Sequence, residues 1–135
     1  MQSGTLVKTI FLKATPEKVW AYLTESDKLA EWFHATRTNM QVGEDYALIG
    51  DDDKNLCWGK VVEANPHTKL VYTFTHDHIG GHITTVTWEL EPSHGGTQLV
   101  MTHIGLDSST TPFEMLSGHD KGWDDHFAKL REKTA

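Results

Sequence analysis

From Thr36 to Gly105, hydrophobic and polar positions alternate with a period of two. This is the pattern of strands with one face buried. Turn-forming clusters interrupt it at Val42-Gly43-Glu44-Asp45, Asp51-Asp52-Asp53-Lys54-Asn55, Asn65-Pro66-His67-Thr68, Ile79-Gly80-Gly81 and Pro92-Ser93-His94-Gly95-Gly96. The spacing predicts strands near 46–50, 56–64, 69–76, 82–91 and 97–104. Connections this short join antiparallel neighbours, because parallel strands need long crossovers. The predicted unit is an antiparallel meander.

Both ends of the chain depart from that pattern. Residues 5–13 are rich in β-branched and aromatic side chains, with Lys8 breaking any helical apolar face, so they predict a first strand. Thr15-Pro16-Glu17 reads as a helix start: a cap, a proline suited to the first helical position, and an acid at the positive end of the dipole. Val19, Trp20 and Leu23 give that helix its apolar face. A second short helix begins at Ser26-Asp27, with Leu29, Trp32 and Phe33 inward. At the other end, Thr111-Pro112-Phe113-Glu114 resembles a capping box ahead of a long helix. Met115 or Leu116, then Trp123, Phe127 and Leu130, follow at helical spacing. Gly118 and Gly122 each cost such a helix about 1 kcal/mol relative to alanine. They imply a kink, or a close approach of the sheet or a ligand.

Together these elements predict an α+β architecture in which a curved antiparallel sheet wraps around the C-terminal helix. Alternation points Val86, Trp88 and Leu90 inward, and likewise Leu99, Met101 and His103, and Leu70, Tyr72 and Phe74. Around Trp58 the phase is ambiguous, because Cys57, Val61 and Val62 put apolar groups on both faces. A bent sheet and a helix across its mouth do not meet everywhere, and the gap is a cavity.

Composition narrows the function. The 135 residues fit one domain spanning the whole chain, 1–135. Twelve basic against nineteen acidic residues leave a net charge of −7, and no Lys/Arg cluster exists to hold phosphates. Nucleic acid is therefore not an expected partner. No apolar run is long enough to span a bilayer, so membrane insertion is not expected either. The first residues lack the pattern of a signal peptide, and the single cysteine, Cys57, rules out an internal disulfide. A cytoplasmic location is the expectation. Nine histidines and five tryptophans are many for this length, and tryptophans in such number often line something.

Trp32, Phe33, Phe74, Trp88, Met101, Met115, Trp123 and Phe127 form the candidate lining; the plainer alternative is ordinary core. His103 shares the face of Leu99 and Met101. It reads either as a core histidine satisfied by a neighbour or as a polar group that orients a ligand or moves a proton. His76, His78 and His82 flank one hairpin turn, with His76 and His78 on one strand face, yet nothing nearby completes a tetrahedral set, and no metal is expected. Asp51-Asp52-Asp53 lacks the glycine and following glutamate of a calcium loop. No helix follows Gly80-Gly81 or Gly95-Gly96, so neither is a phosphate loop. No serine or cysteine stands in a nucleophile motif, and Cys57 reads as a structural strand residue. His119 and His126 flank the apolar stripe of the last helix. No catalytic residue and no cofactor is expected.

Ala14-Thr15-Pro16-Glu17-Lys18-Val19-Trp20, Leu29-Ala30-Glu31-Trp32-Phe33, Gly59-Lys60-Val61-Val62-Glu63 with Pro66, Leu70-Val71-Tyr72-Thr73-Phe74, Val86-Thr87-Trp88-Glu89-Leu90, Gly96-Thr97-Gln98-Leu99-Val100-Met101-Thr102-His103, and Gly122-Trp123 with Leu130 carry a resemblance over nearly the whole chain. Their order and spacing resemble the START-like helix-grip (SRPBCC) superfamily, in particular the branch related to the activator of the heat-shock protein 90 ATPase. Phe74 stands where that family often has tryptophan. The resemblance implies a sheet gripping a long C-terminal helix around a pocket for lipids, polyketides or other apolar molecules. It also implies two alternatives: a cyclase or hydrolase using the same pocket, and a chaperone-interacting module. The expected partner is an apolar small molecule, with the chain a monomer or homodimer. Burying about 300 Å² of apolar ligand yields about 7.5 kcal/mol. At least ~4 kcal/mol is lost with the ligand's freedom, which leaves only millimolar binding. Useful affinity needs polar contacts as well, with His103 the first candidate.

Overall fold

The computed structural model describes residues 4–50 and 52–135, His78 by its backbone alone. Residues 1–3, where no signal peptide was expected, and Asp51 of the acidic turn lie outside the described residues.

Strand β1 (Leu6–Leu12) leads into helices α1 (Pro16–Thr24) and α2 (Ser26–Trp32). There follow β2 (Ala35–Thr36), β3 (Asp45–Ile49), β4 (Asn55–Asn65), β5 (Lys69–Phe74), a single 3₁₀ turn (Asp77–Ile79), β6 (Thr84–Ser93), β7 (Gly96–Ile104) and helix α3 (Phe113–Lys133). All seven strands form one sheet in the order β1-β7-β6-β5-β4-β3-β2, every pair antiparallel. The sheet curls into a half-barrel around α3, with α1 and α2 closing one end. This is the helix-grip arrangement.

Local chemistry explains the boundaries. The Thr15 hydroxyl accepts the Lys18 amide at 3.4 Å and caps α1. The start of α3 differs from the capping-box expectation. Pro112 is the cap residue and makes no side-chain cap bond, while the buried Thr111 lies with its hydroxyl 3.4 Å from that of Thr110. Proline has no N–H to lose at that position and suits it without a side-chain acceptor. Strand β5 ends at Phe74 rather than at residue 76, so His76 and His78 do not share a strand face; the chain turns through the 3₁₀ segment instead.

The ambiguous phase of β4 has a cause in the sheet. Val61 pairs with Tyr72 but Glu63 pairs with Val71, so Val62 is a bulge residue. Val61 is buried and Val62 beside it exposed, as alternation requires, and the bulge shifts the register beyond them. Gly59 adds a second irregularity. A Cβ there would run into the Thr73 carbonyl oxygen, and the Lys60 amide bonds the Thr73 hydroxyl at 2.8 Å.

Val86, Trp88, Leu90, Leu99, Met101, Leu70, Tyr72 and Phe74 all lie in the core, together with Leu23, Leu29, Trp32, Trp123, Phe127 and Leu130. Buried indoles find acceptors: Trp32 donates to the Tyr22 carbonyl at 2.8 Å and Trp88 to the Tyr72 hydroxyl at 3.0 Å. Lys8, on the inward face of β1, reaches α3 and pairs with Asp120 and Asp124.

Candidate functional site

The buried residues of α3 are Trp123, Phe127 and Leu130, all in its second half. Before Trp123 no α3 residue is buried. Met115, Gly118, His119, Gly122, Trp123 and His126 occupy one helical face and look across a cleft of about 410 Å³. The opposite wall comes from Phe33 and His34 after α2, Leu56 and Cys57 on β4, Phe74 at the end of β5, and His76 beyond it. That volume falls within the range of small-molecule sites. Gly118 and Gly122 face open space: a Cβ built on either would meet nothing within 4 Å.

Of the predicted lining residues, Phe33, Phe74, Met115 and Trp123 face the cleft. Trp32, Trp88, Met101, Phe127 and His103 are buried behind it. The two groups touch through rings. Phe33 stacks on Trp123 at 5.3 Å and on Trp32 at 5.1 Å, and Trp123 stacks on Phe127 at 5.8 Å. Trp88 meets Trp123 edge-on at 5.6 Å. The floor of the cleft is thus a continuous aromatic layer whose rear half is core.

His103 is fully buried. Its Nδ1 accepts the indole N–H of Trp123 at 3.2 Å, so its proton sits on Nε2 and is donated to Thr84 Oγ1 at 2.8 Å. The Thr84 hydroxyl in turn donates to the Phe74 carbonyl. Burial first, then the neighbouring His119 and His76, hold its pKa down at about 3. It is neutral at physiological pH and both ring nitrogens are engaged within the protein.

The polar groups of the cleft are other histidines, which composition singles out but spacing does not bring together. His119 Nδ1 donates to the Met115 carbonyl at 2.7 Å, which leaves its Nε2 as an acceptor. His76 Nε2 lies 2.8 Å from that atom and is therefore the donor; the rings stack at 5.0 Å. On the other side His126 Nδ1 donates to the Trp32 carbonyl at 3.3 Å, and its ring meets His34 at 5.0 Å. Burial, then His34, pushes the His126 pKa down to about 4; burial, then Lys129, lowers that of His34. The signal in the sequence is the series 115, 118, 119, 122, 123 and 126, in which glycine and histidine replace the bulk found further along the helix. Burial raises the Cys57 thiol to about 12, which makes it a poor nucleophile. His82 binds the Gly105 carbonyl at 3.1 Å, and among the described residues no three His, Cys, Asp or Glu side chains gather to hold a metal.

A larger groove, about 730 Å³, is bordered by Arg37, Asp45, Asn55 and Lys60 around Trp58. This groove shares no lining residue with the cleft. Arg37 there is already bonded to Asn55 at 2.8 Å and to the Asp53 carbonyl at 3.1 Å.

A half-barrel closed on a long helix, with an aromatic cleft between them, defines the helix-grip fold. Residues 13–134 match the family described as Activator of Hsp90 ATPase homolog 1-like protein. The chain belongs to that family. Solved structures agree. Protein MLL2253 from Mesorhizobium loti is 26% identical with a TM-score of 0.85, over 95% of this chain and 94% of that one. The Aha1 dimer of Colwellia psychrerythraea is 21% identical with a TM-score of 0.78, over 96% and 95% of the two chains. CalU16 from Micromonospora echinospora is 21% identical with a TM-score of 0.77, over 93% of this chain and 73% of that one. Among curated proteins no sequence matches this one. Among the described residues no helix is long and apolar enough to cross a membrane.

Proposed function

We propose that this protein binds an apolar small molecule in the cleft between the sheet and the first half of α3. One observation carries the reading: two helix glycines, Gly118 and Gly122, face open space inside an aromatic-lined cleft. A helix that merely packs against a sheet gains from alanine at such positions, by about 1 kcal/mol each. Keeping glycine there leaves room for an occupant.

Phe33, Phe74, Met115 and Trp123 are the contact residues in this reading. Trp32, Trp88, Met101, Phe127 and His103 support them from behind. Shape and apolar area supply the gross binding energy, and the cleft histidines supply the polar contacts that apolar area alone does not. Trp123 is the natural reporter. Titration with a panel of lipids, polyketide-like aromatics and other hydrophobic compounds, followed by tryptophan fluorescence, is expected to show saturable quenching or a spectral shift. Replacing Trp123 by Phe should remove that signal while displacement of a fluorescent probe persists. Failure of every compound class to perturb Trp123 or the amides of Met115, Gly118 and Gly122 would refute the reading.

A further inference from the structure

Among the described residues the cleft lining contains four imidazoles and no Asp, Glu, Lys or Arg, in a protein whose net charge is −7. Any charge these imidazoles gain with a proton is positive, with no described carboxylate in the lining to neutralise it. The imidazoles are not equivalent. His34 and His126 form one pair and His76 and His119 the other, and only the second is joined through its ring nitrogens, at 2.8 Å.

We infer that the His76–His119 pair is an anion-recognition site, and that the ligand is an amphipathic weak acid: an aromatic or aliphatic body with a carboxylate or acidic phenol at one end. The inference rests on the cleft being a binding site. His119 accepts the His76 proton at Nε2 and donates from Nδ1 to the Met115 carbonyl. One further proton turns the two rings into an imidazole–imidazolium pair, a charge-assisted hydrogen bond stronger than the neutral one. A carboxylate brought into the cleft stabilises that charge, and the charge stabilises the carboxylate. Binding the anion therefore takes up one proton from solvent; binding the neutral acid transfers its own proton to the pair. No other group is oxidised, reduced or bonded.

Among the described residues, other titratable groups lie near the pair. His103, from β7, is buried with both nitrogens engaged, and its ring lies 5.7 Å from that of His119. Cys57, from β4, remains a neutral thiol. Burial, then Lys129, lowers the pKa of His34, from the segment before β2; burial, then His34, pushes that of His126, further along α3, down to about 4, and His126 also spends a nitrogen on Trp32. Asp77 follows His76 in the chain but is not part of the lining. The apolar residues Phe33, Phe74 and Met115 of the cleft lining fit the body of such a ligand.

The test uses naphthalene-2-acetic acid and its neutral isostere naphthalene-2-acetamide on the intact chain, by calorimetry at pH 6.0 and 8.5. At pH 6.0 the acid is expected to bind at least tenfold more tightly than the amide, and by pH 8.5 that advantage should shrink to within threefold. Titrations in two buffers of different ionisation enthalpy should show uptake of up to one proton for the acid and none for the amide. His76→Gln and His119→Gln should each abolish the preference for the acid over the amide. Equal binding of acid and amide at both pH values, or a preference that survives both substitutions, overturns the anion site and leaves the apolar cleft standing. Binding of neither compound at millimolar concentration, with no other hydrophobic compound binding, removes the cleft reading and this one with it.

Discussion

The indole N–H of Trp123 ends on Nδ1 of His103, 3.2 Å away, and so ties a wall of the cleft to the centre of the core. The bond fixes the tautomer of His103 and begins a chain through Thr84 to the Phe74 carbonyl, another cleft residue. Two aromatic walls, Trp123 on the helix and Phe74 on the sheet, are thus held through one buried neutral imidazole.

That imidazole makes stability depend on pH. Its folded pKa, about 3, lies below the ~6.5 of an exposed histidine, so between those values the unfolded chain binds the extra proton. The stabilisation is complete above pH 6.5 and is lost as pH falls toward 3. By pH 4 the loss is about 3 kcal/mol from this group, and His126, at about 4, adds to it. Urea unfolding at pH 7 and pH 4 should show a larger drop for the native chain than for His103→Gln. Equal drops would disprove the linkage.

Gly118→Ala and Gly122→Ala should each raise stability by about 0.5–1 kcal/mol, since an added methyl meets nothing and the helix gains propensity. Gly118→Leu should fold equally well yet lose most of the affinity for any cleft ligand. Thermal melts read the first effect and probe displacement the second.

Gly59→Ala should have the opposite effect. Its methyl would collide with the Thr73 carbonyl oxygen, which belongs to the neighbouring strand and has little freedom to move. A loss of about 1–3 kcal/mol is expected in denaturant unfolding.

Alternation along β4 predicts unequal neighbours. Val61→Thr places a hydroxyl in the core and should cost about 1–3 kcal/mol. Val62→Thr, on the exposed bulge residue, should stay within about 0.5 kcal/mol of the native chain. Similar costs at both positions would contradict the register of β4 on β5.

The two valines also show where sequence reading reaches its limit. The period-two runs place β4 through β7 nearly correctly, because alternation survives wherever a strand is regular and half-buried. Trp88, Met101 and Tyr72 face inward as the pattern requires. Around Trp58 the phase stays open because a bulge at Val62 and a tight approach at Gly59 break the alternation itself. The short β2 has too few residues to show any period. Thr111 looks like a cap because a motif records residue types and not where a hydroxyl turns. The cleft is harder still. His34, His76, His119 and His126 lie far apart in the chain, and their meeting depends on how α3 crosses the curled sheet. Helical spacing shows that His119 and His126 share a face with Trp123, but not that a cleft lies beneath that face. His103, which local alternation does place inward, has its nitrogens occupied by Thr84 and Trp123.

Because the buried residues of α3 are Trp123, Phe127 and Leu130, the molecule resembles a clip anchored toward the helix C-terminus, whose more open jaw is the part an occupant would grip. Whatever enters wedges between helix and strands, and unfolding then requires its release. The melting temperature should therefore climb with the logarithm of free compound concentration above Kd, an increment that can be followed without a label and whatever the chemical nature of the guest.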